Sequence, residues 1–193
     1  MTWLNQYFSK MRGGASLPAS QKTVTIFICG LGASIAIAAV SLLTTYADAP
    51  FLMAPFGASC FLAFAAPDNP LAQPRNIILG HLISSAVGLL ILSIFGASWW
   101  AMAVAVGLAV MLMQITKTGH APAGADPLVV ILTQPDWWFL IFPVMAGASI
   151  LALVAVIFNN LRRDVSYPNI GRPTKKEAQK ASLDFCSQSA ACD

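Results

Sequence analysis

One unusual segment occurs twice in this chain, and the repetition constrains the fold more than any single stretch does. Ala54-Pro55-Phe56-Gly57-Ala58-Ser59, followed by an apolar run and Pro67-Asp68, returns as Ala121-Pro122-Ala123-Gly124-Ala125-Asp126, followed by a second apolar run and Pro135-Asp136. The offset is 67 residues at the start and 68 at the end, so one inserted residue reconciles the copies. Each copy lies between two long apolar stretches. The chain therefore reads as two units of the form long helix, broken short segment, long helix, a plan shared by many membrane transporters and channels.

Composition identifies the solvent. The chain is 57% hydrophobic and 10% charged, with a mean hydropathy of +0.70, whereas soluble domains carry roughly 25% charged residues. It belongs in a bilayer. Residues 23–47 contain no charge, and about 20 apolar residues cross roughly 30 Å of hydrocarbon. Similar stretches run over 77–96, 98–116 and 138–158, which predicts an all-α integral membrane protein with four transmembrane helices. Ala47-Asp48-Ala49 has the look of a signal-peptide cleavage site. The apolar run before it, however, is about twice the length of a signal h-region and follows a polar segment, so it is expected to stay as a membrane helix.

Residues 54–66 and 122–134 are too short to span unaided, each covering roughly 20 Å as helix. Each starts at Pro and Gly and ends at Pro, the pattern of a half-helix entered through a loosened loop. Non-helical backbone at membrane depth survives only where protein buries it or water lines it, so two such elements imply a shared central site. The alternative is a pair of amphipathic loops lying at the interface. The favoured reading is two re-entrant half-helices.

Lys10, Arg12 and Lys22 precede the apolar region, and Arg162, Arg163, Arg172, Lys175, Lys176 and Lys180 follow it, while Arg75 and Lys117 alone lie between. By the positive-inside rule both termini are cytoplasmic. The net charge of +3 is the sum of basic ends and a more acidic middle, so no nucleic-acid partner is expected. Four crossings with re-entrant segments give repeats related by an axis along the membrane normal; six crossings give inverted repeats. Both keep the termini together, and the shortness of the segments favours four. The organisation is then a cytoplasmic segment 1–22, a membrane domain 23–161 with repeats over 23–96 and 98–161, and a flexible cytoplasmic tail 162–193, whose basic residues suit anionic lipid. Cys29 and Cys60 lie in apolar runs, Cys186 and Cys192 in the tail, and no Cys/His cluster suggests a metal or cofactor.

The stretch PFGASCFLAFAAPDNPLAQPRNIILGHLISSAVG (55–88), with HAPAGADPL (120–128), resembles the HPP family of integral membrane proteins. The likeness covers roughly residues 20–160, and Pro70-Leu71-Ala72-Gln73-Pro74-Arg75-Asn76 with Gly80-His81 is its most specific part. The family's His-Pro-Pro stands here as His120-Ala121-Pro122, which leaves Pro122 to start the helix. Asp126 is a second departure, where Asn or a small residue is expected. The resemblance implies a small bacterial inner-membrane or organellar protein, and some relatives are associated with nitrite transport.

The residues themselves suggest an anion site. A helix N-terminus presents free N–H groups and about half a positive charge, and two half-helices would aim two such ends at Gly57, Ala58 and Ser59 and at Gly124 and Ala125. The glycines would let an ion approach the backbone; they equally suit plain helix packing. Asp126 would repel an anion unless it caps the helix, binds a cation or takes a proton. His81, inside the second long helix, and His120, ahead of the second half-helix, are candidates for proton coupling or gating, or are neutral histidines hydrogen-bonded between helices. Arg75 either attracts anions at an entrance or pairs with Asp68. Trp99, Trp100, Trp137 and Trp138 suit an interfacial belt. No paired carboxylates, HExxH motif or Ser/His/Asp set is apparent, which disfavours an enzyme. The expected function is a channel or secondary transporter for a small inorganic anion, nitrite among the candidates, in a homo-oligomer. A non-transporting assembly or sensory subunit is the alternative.

Overall fold

The charge-free runs form helices because nothing in them competes with the backbone ladder, and the punctuating residues set their ends. The structure, a computed structural model, describes residues 3–11, 20–47 and 51–169. Its helices are α1 (Trp3–Lys10), α2 (Thr23–Tyr46), α3 (Pro55–Ala65), α4 (Pro74–Phe95), α5 (Trp99–Ile115), α6 (Asp126–Thr133) and α7 (Ala146–Leu161), and no strand occurs among the described residues. Pro74 opens α4, where its missing N–H costs nothing. Gly96 closes it at φ 68°, a backbone that favours glycine. Ser98 caps α5, its side chain accepting from the Ala101 amide at 3.3 Å.

Among the described residues three stretches, Thr23–Tyr46, Pro74–Phe95 and Trp137–Leu161, are long and apolar enough to cross a membrane; Trp99–Ile115 is shorter. The last long stretch departs from the continuous helix expected over 138–158. Phe142 takes φ −129° and ψ 115°, beside Pro143, which has no N–H to donate. Regular α-helix therefore starts only at Ala146. The second half-helix is also compound, a tight turn over Ala121–Ala125 followed by α6.

Hydrogen bonds give the direction of each short segment. The C-terminal end of α3 lies beside the start of α2, with Gln21 Nε2 donating to the Ala65 carbonyl at 3.4 Å and Cys29 Sγ to the Phe64 carbonyl at 3.0 Å. The approach to α3 lies beside the end of α2, with the Phe51 amide donating to Thr44 Oγ1 at 3.0 Å. Residues 51–65 thus run the length of α2 in the opposite sense. In the second copy, Arg75 at the start of α4 reaches the Thr116 and Lys117 carbonyls. Farther along α4, Gly80 faces Thr118 and His120, and Gly88 faces Pro127 and Val130. This segment runs parallel to α4, away from the end where α3 finishes. Neither short segment doubles back within the bundle. α2 to α7 therefore alternate in direction, so the first unit runs up-down-up and the second down-up-down.

That alternation is the signature of inverted repeats, and close contacts carry it at atomic scale. A Cβ on Gly80 would meet the Thr118 carbonyl at 3.1 Å and Ala123 Cβ at 3.6 Å. A Cβ on Gly147 would meet the Phe51 carbonyl and, at 2.6 Å, the Phe56 ring. Gly80 and Gly147, Thr118 and Phe51, Ala123 and Phe56 are each separated by the 67-residue offset. The long helices also exchange partners. α2, α3 and the second unit's α7 pack together, as do α5, α6 and the first unit's α4, while α4 and α7 pack on each other between the groups.

Two apolar clusters follow from this exchange. One joins Val40 of α2, Phe56 and Phe64 of α3 and Leu151 of α7; the other joins Val87 and Ile91 of α4, Ala101, Ala105 and Ala109 of α5 and Ile131 of α6. The four-residue alanine spacing on α5 lets its backbone approach closely, as small residues do between membrane helices. The outer surface is apolar as well, with Phe27 75% exposed, as a lipid-facing surface requires.

The start of the expected tail is docked on the bundle. Tyr167 is buried, its hydroxyl donating to the Ala72 carbonyl, and Asn169 donates to Gln73 Oε1 at 2.7 Å and Asp68 Oδ1 at 2.8 Å. Arg172, Lys175, Lys176, Lys180, Cys186 and Cys192 lie outside the described residues, as do Arg12 and the Asp48-Ala49 step.

Candidate functional site

Where the two broken segments meet, their polar residues form one chain. Ser59 sits in the second turn of α3, its hydroxyl also 3.3 Å from the Pro55 carbonyl. From α4 come His81, Ser84 and Ser85, which share one helix face by their spacing of three and four. The loop before Ala121–Ala125 supplies His120, and Asp126 is the first residue of α6. Ser59 Oγ is 2.8 Å from His81 Nε2 and 2.8 Å from His120 Nε2. His81 Nδ1 is 2.8 Å from Asp126 Oδ2, and Ser85 donates to the same oxygen at 3.3 Å. His120 Nδ1 donates to the Leu71 carbonyl at 2.7 Å. Ser84 donates to the Ala123 carbonyl at 2.6 Å, fixing the turn before α6 to α4.

All six side chains are buried, so every contact acts without competing water. The imidazole rings meet edge to face at 5.0 Å, and the Phe56 ring closes one side of His81 at 5.1 Å. Gly80 makes the approach of His120 possible, because a Cβ there would lie 2.7 Å from His120 Cβ. Ser59 and Asp126, the two anchors of His81, are related by the 67-residue offset, so equivalent positions of the repeats bracket one histidine. Asp126 Oδ1, although buried, has no hydrogen-bond partner among the described residues.

Of the candidates read from the sequence, the structure thus brings together Ser59, His81, His120 and Asp126. The glycines and alanines do not join them. Gly57, Ala58 and Ala125 are exposed and Gly124 is half-buried, and a Cβ on Gly57 or Gly124 would meet nothing within 4 Å. Nor are the half-helix amides free. Phe56 and Gly57 donate to the Met53 and Ala54 carbonyls at 3.1 and 3.2 Å, and Ala123 to His120 at 3.1 Å. The Asp126 amide donates to Ala123, and Pro127 has none. The polar side chains, not open helix ends, are what this centre offers. Arg75 does not pair with Asp68: its guanidinium caps the end of α5 by donating to the Lys117 carbonyl at 2.8 Å, while Asp68 accepts from Asn169. Trp99, Trp100, Trp137 and Trp138 are exposed, as interfacial anchors would be.

Ser84 and Ser85 escaped the sequence reading, although hydroxyls three and four residues after a membrane histidine were the available signal. The Ser/His/Asp set escaped it as well, because its members lie 22 and 45 residues apart. A cavity of about 180 Å³ borders His120, with Gly124, Gln114 and Gly119 in its wall. A second, apolar groove of about 770 Å³ lies between α2 and α3, along Cys29, Gly57, Cys60 and Phe61.

Residues 18–168 match the family model described as HPP, transmembrane region. A transmembrane protein of Dictyostelium discoideum is 36% identical over 175 residues, covering 84% of this chain and 56% of the relative. A second transmembrane protein of the same organism is 41% identical over 125 residues, covering 61% of this chain and 44% of the relative. The chain thus spans about half the length of these curated relatives. No solved structure matches. By a match that spans the whole described bundle after α1, this chain is an integral membrane protein of the HPP transmembrane family.

Proposed function

We propose that the chain moves a small inorganic anion, with nitrite the first to test, across the bilayer as a channel or secondary transporter coupled to protons. The observation that carries this reading is the buried chain from Asp126 through His81 and Ser59 to His120, at the point where two inverted units meet. Ionisable groups inside a membrane bundle are costly and commonly line ion pathways or proton relays. The association of some relatives with nitrite transport supports the same reading. The cavity beside His120, about 180 Å³, is several times the roughly 30 Å³ share of one water, enough for a small ion with part of its hydration. His120 is then the group that meets the ion. α2 to α7 supply six crossings, the termini face the cytoplasm, and copies of the chain associate through the exposed apolar faces.

Ser59, His81 and Asp126 have the bonding order of a hydrolytic triad, but a nucleophile must reach its substrate. Ser59 is buried and its oxygen is engaged by a second histidine, so we read the set as a relay and not as an enzyme. Covalent labelling of Ser59 by a fluorophosphonate would contradict this.

Purified protein in liposomes tests transport. Nitrite, nitrate, formate or chloride gradients should collapse faster than in protein-free vesicles, with one of the four preferred. Equal leakage with and without protein for all four would favour a non-transporting subunit.

A further inference from the structure

Counting hydrogens in the central chain gives a result that distances alone do not. It has four links: Asp126 to His81, His81 to Ser59, Ser59 to His120, and His120 to the Leu71 carbonyl. Each needs one hydrogen between its two heavy atoms. A carbonyl oxygen only accepts, so His120 Nδ1 carries a hydrogen. Its Nε2 and that of His81 then both face one hydroxyl, which owns a single hydrogen. If both histidines were neutral and Asp126 ionised, three hydrogens would serve four links, and two lone pairs would oppose each other in a site that excludes water. If both histidines were charged, Ser59 would have to turn its hydrogen to the Pro55 carbonyl at 3.3 Å, and the set would carry a net positive charge in a site closed to water. Four hydrogens close every link and leave the set with no net charge; Asp126 Oδ2 already accepts from Ser85, so we take the carboxylate as ionised and the fourth hydrogen as sitting on an imidazole.

We infer that His81 and His120 together hold one transferable proton, passed between them through Ser59, with Asp126 as its counter-charge. The step balances. His120 Nε2 gives its proton to Ser59 Oγ as Ser59 gives its own to His81 Nε2, and one positive charge moves from the loop of the second unit to α4. Among the described residues no other ionised side chain faces the set. α2, α5 and α7 contain no Asp, Glu, Lys, Arg or His, α3 contributes only Ser59, and from α4 the hydroxyls of Ser84 and Ser85 complete the surroundings. His120 borders the cavity and is the loading end; His81 is the sheltered end. The inference deepens the proposed proton coupling by naming its seat and its count, and rests on that reading for the proton's purpose.

Nitrogen-15 magnetic resonance of this 193-residue chain in lipid vesicles, labelled at histidine, tests it without any ion gradient. The chain has only two histidines, so no assignment is needed. Near neutral pH one of the four ring nitrogens should be unprotonated, shared as an averaged signal where exchange is fast. Two unprotonated nitrogens, or none, would overturn the inference. Asp126→Asn removes the counter-charge and should raise the count from one to two. Ser59→Ala should abolish averaging between the rings, and persistent averaging in that variant would also overturn it. The wild-type count decides even where a variant does not fold. A count of one without anion flux would sink the transport reading and leave this assignment standing.

Discussion

A single methyl group separates two kinds of glycine in this chain. At Gly57 a Cβ would meet nothing within 4 Å, whereas at Gly147 it would press on the Phe51 carbonyl and the Phe56 ring. Gly57→Ala should therefore be neutral or stabilising, by up to about 0.5–1 kcal/mol because glycine inside a helix carries excess entropy. Gly147→Ala should destabilise by about 1–3 kcal/mol through overpacking. Unfolding in detergent orders the two, and the reverse order would show that the bundle is packed differently. Asp126→Ala should cost about 1–3 kcal/mol in the same assay, because it strands the His81 and Ser85 donors, and Asp126→Asn should cost less. Ser59, His81, His120 and Asp126 were each legible in the sequence as titratable or hydroxyl groups amid apolar residues. Their joining was not, since it depends on which helix pairs with which. Gly57 and Gly124 lie outside that set, in a motif that marks where each short segment begins.

Among the elements, α2, α4 and α5 were legible within a few residues, because charge-free runs bounded by Pro, Gly and Ser leave little choice. The direction of α3 and of the segment ending in α6 was not. Four crossings and six have the same parity, so charge at the termini cannot distinguish them; bonds from Gln21, Cys29 and Arg75 to distant carbonyls give the directions of the segments. Asp68 and Asp136, the matched ends of the two segments, lie at opposite ends of the bundle in this topology. In a variant lacking the native cysteines, Asp68→Cys should react with an impermeant maleimide from the side of the termini and Asp136→Cys from the other side. Labelling of both from one side would restore the re-entrant arrangement. Arg75→Ala should speed amide exchange around residues 116–118 by releasing the carbonyls it caps, without altering that sidedness.

For the whole molecule, exchange of α4 and α7 between the repeats makes neither unit complete alone. The ionisable chain lies where Ser59 from the first and Asp126 from the second hold His81 between them. In inverted-repeat carriers, alternating access is largely the rocking of one half against the other around a central site, and a relay spanning both halves would be made or broken by that motion. The most direct measurement is nitrite uptake into proteoliposomes with proton movement recorded together. An inward proton gradient should accelerate uptake, each nitrite should enter with a proton, and Ser59→Ala should uncouple the two fluxes. Nitrite uptake that ignores the proton gradient and is unchanged by Ser59→Ala would contradict the account.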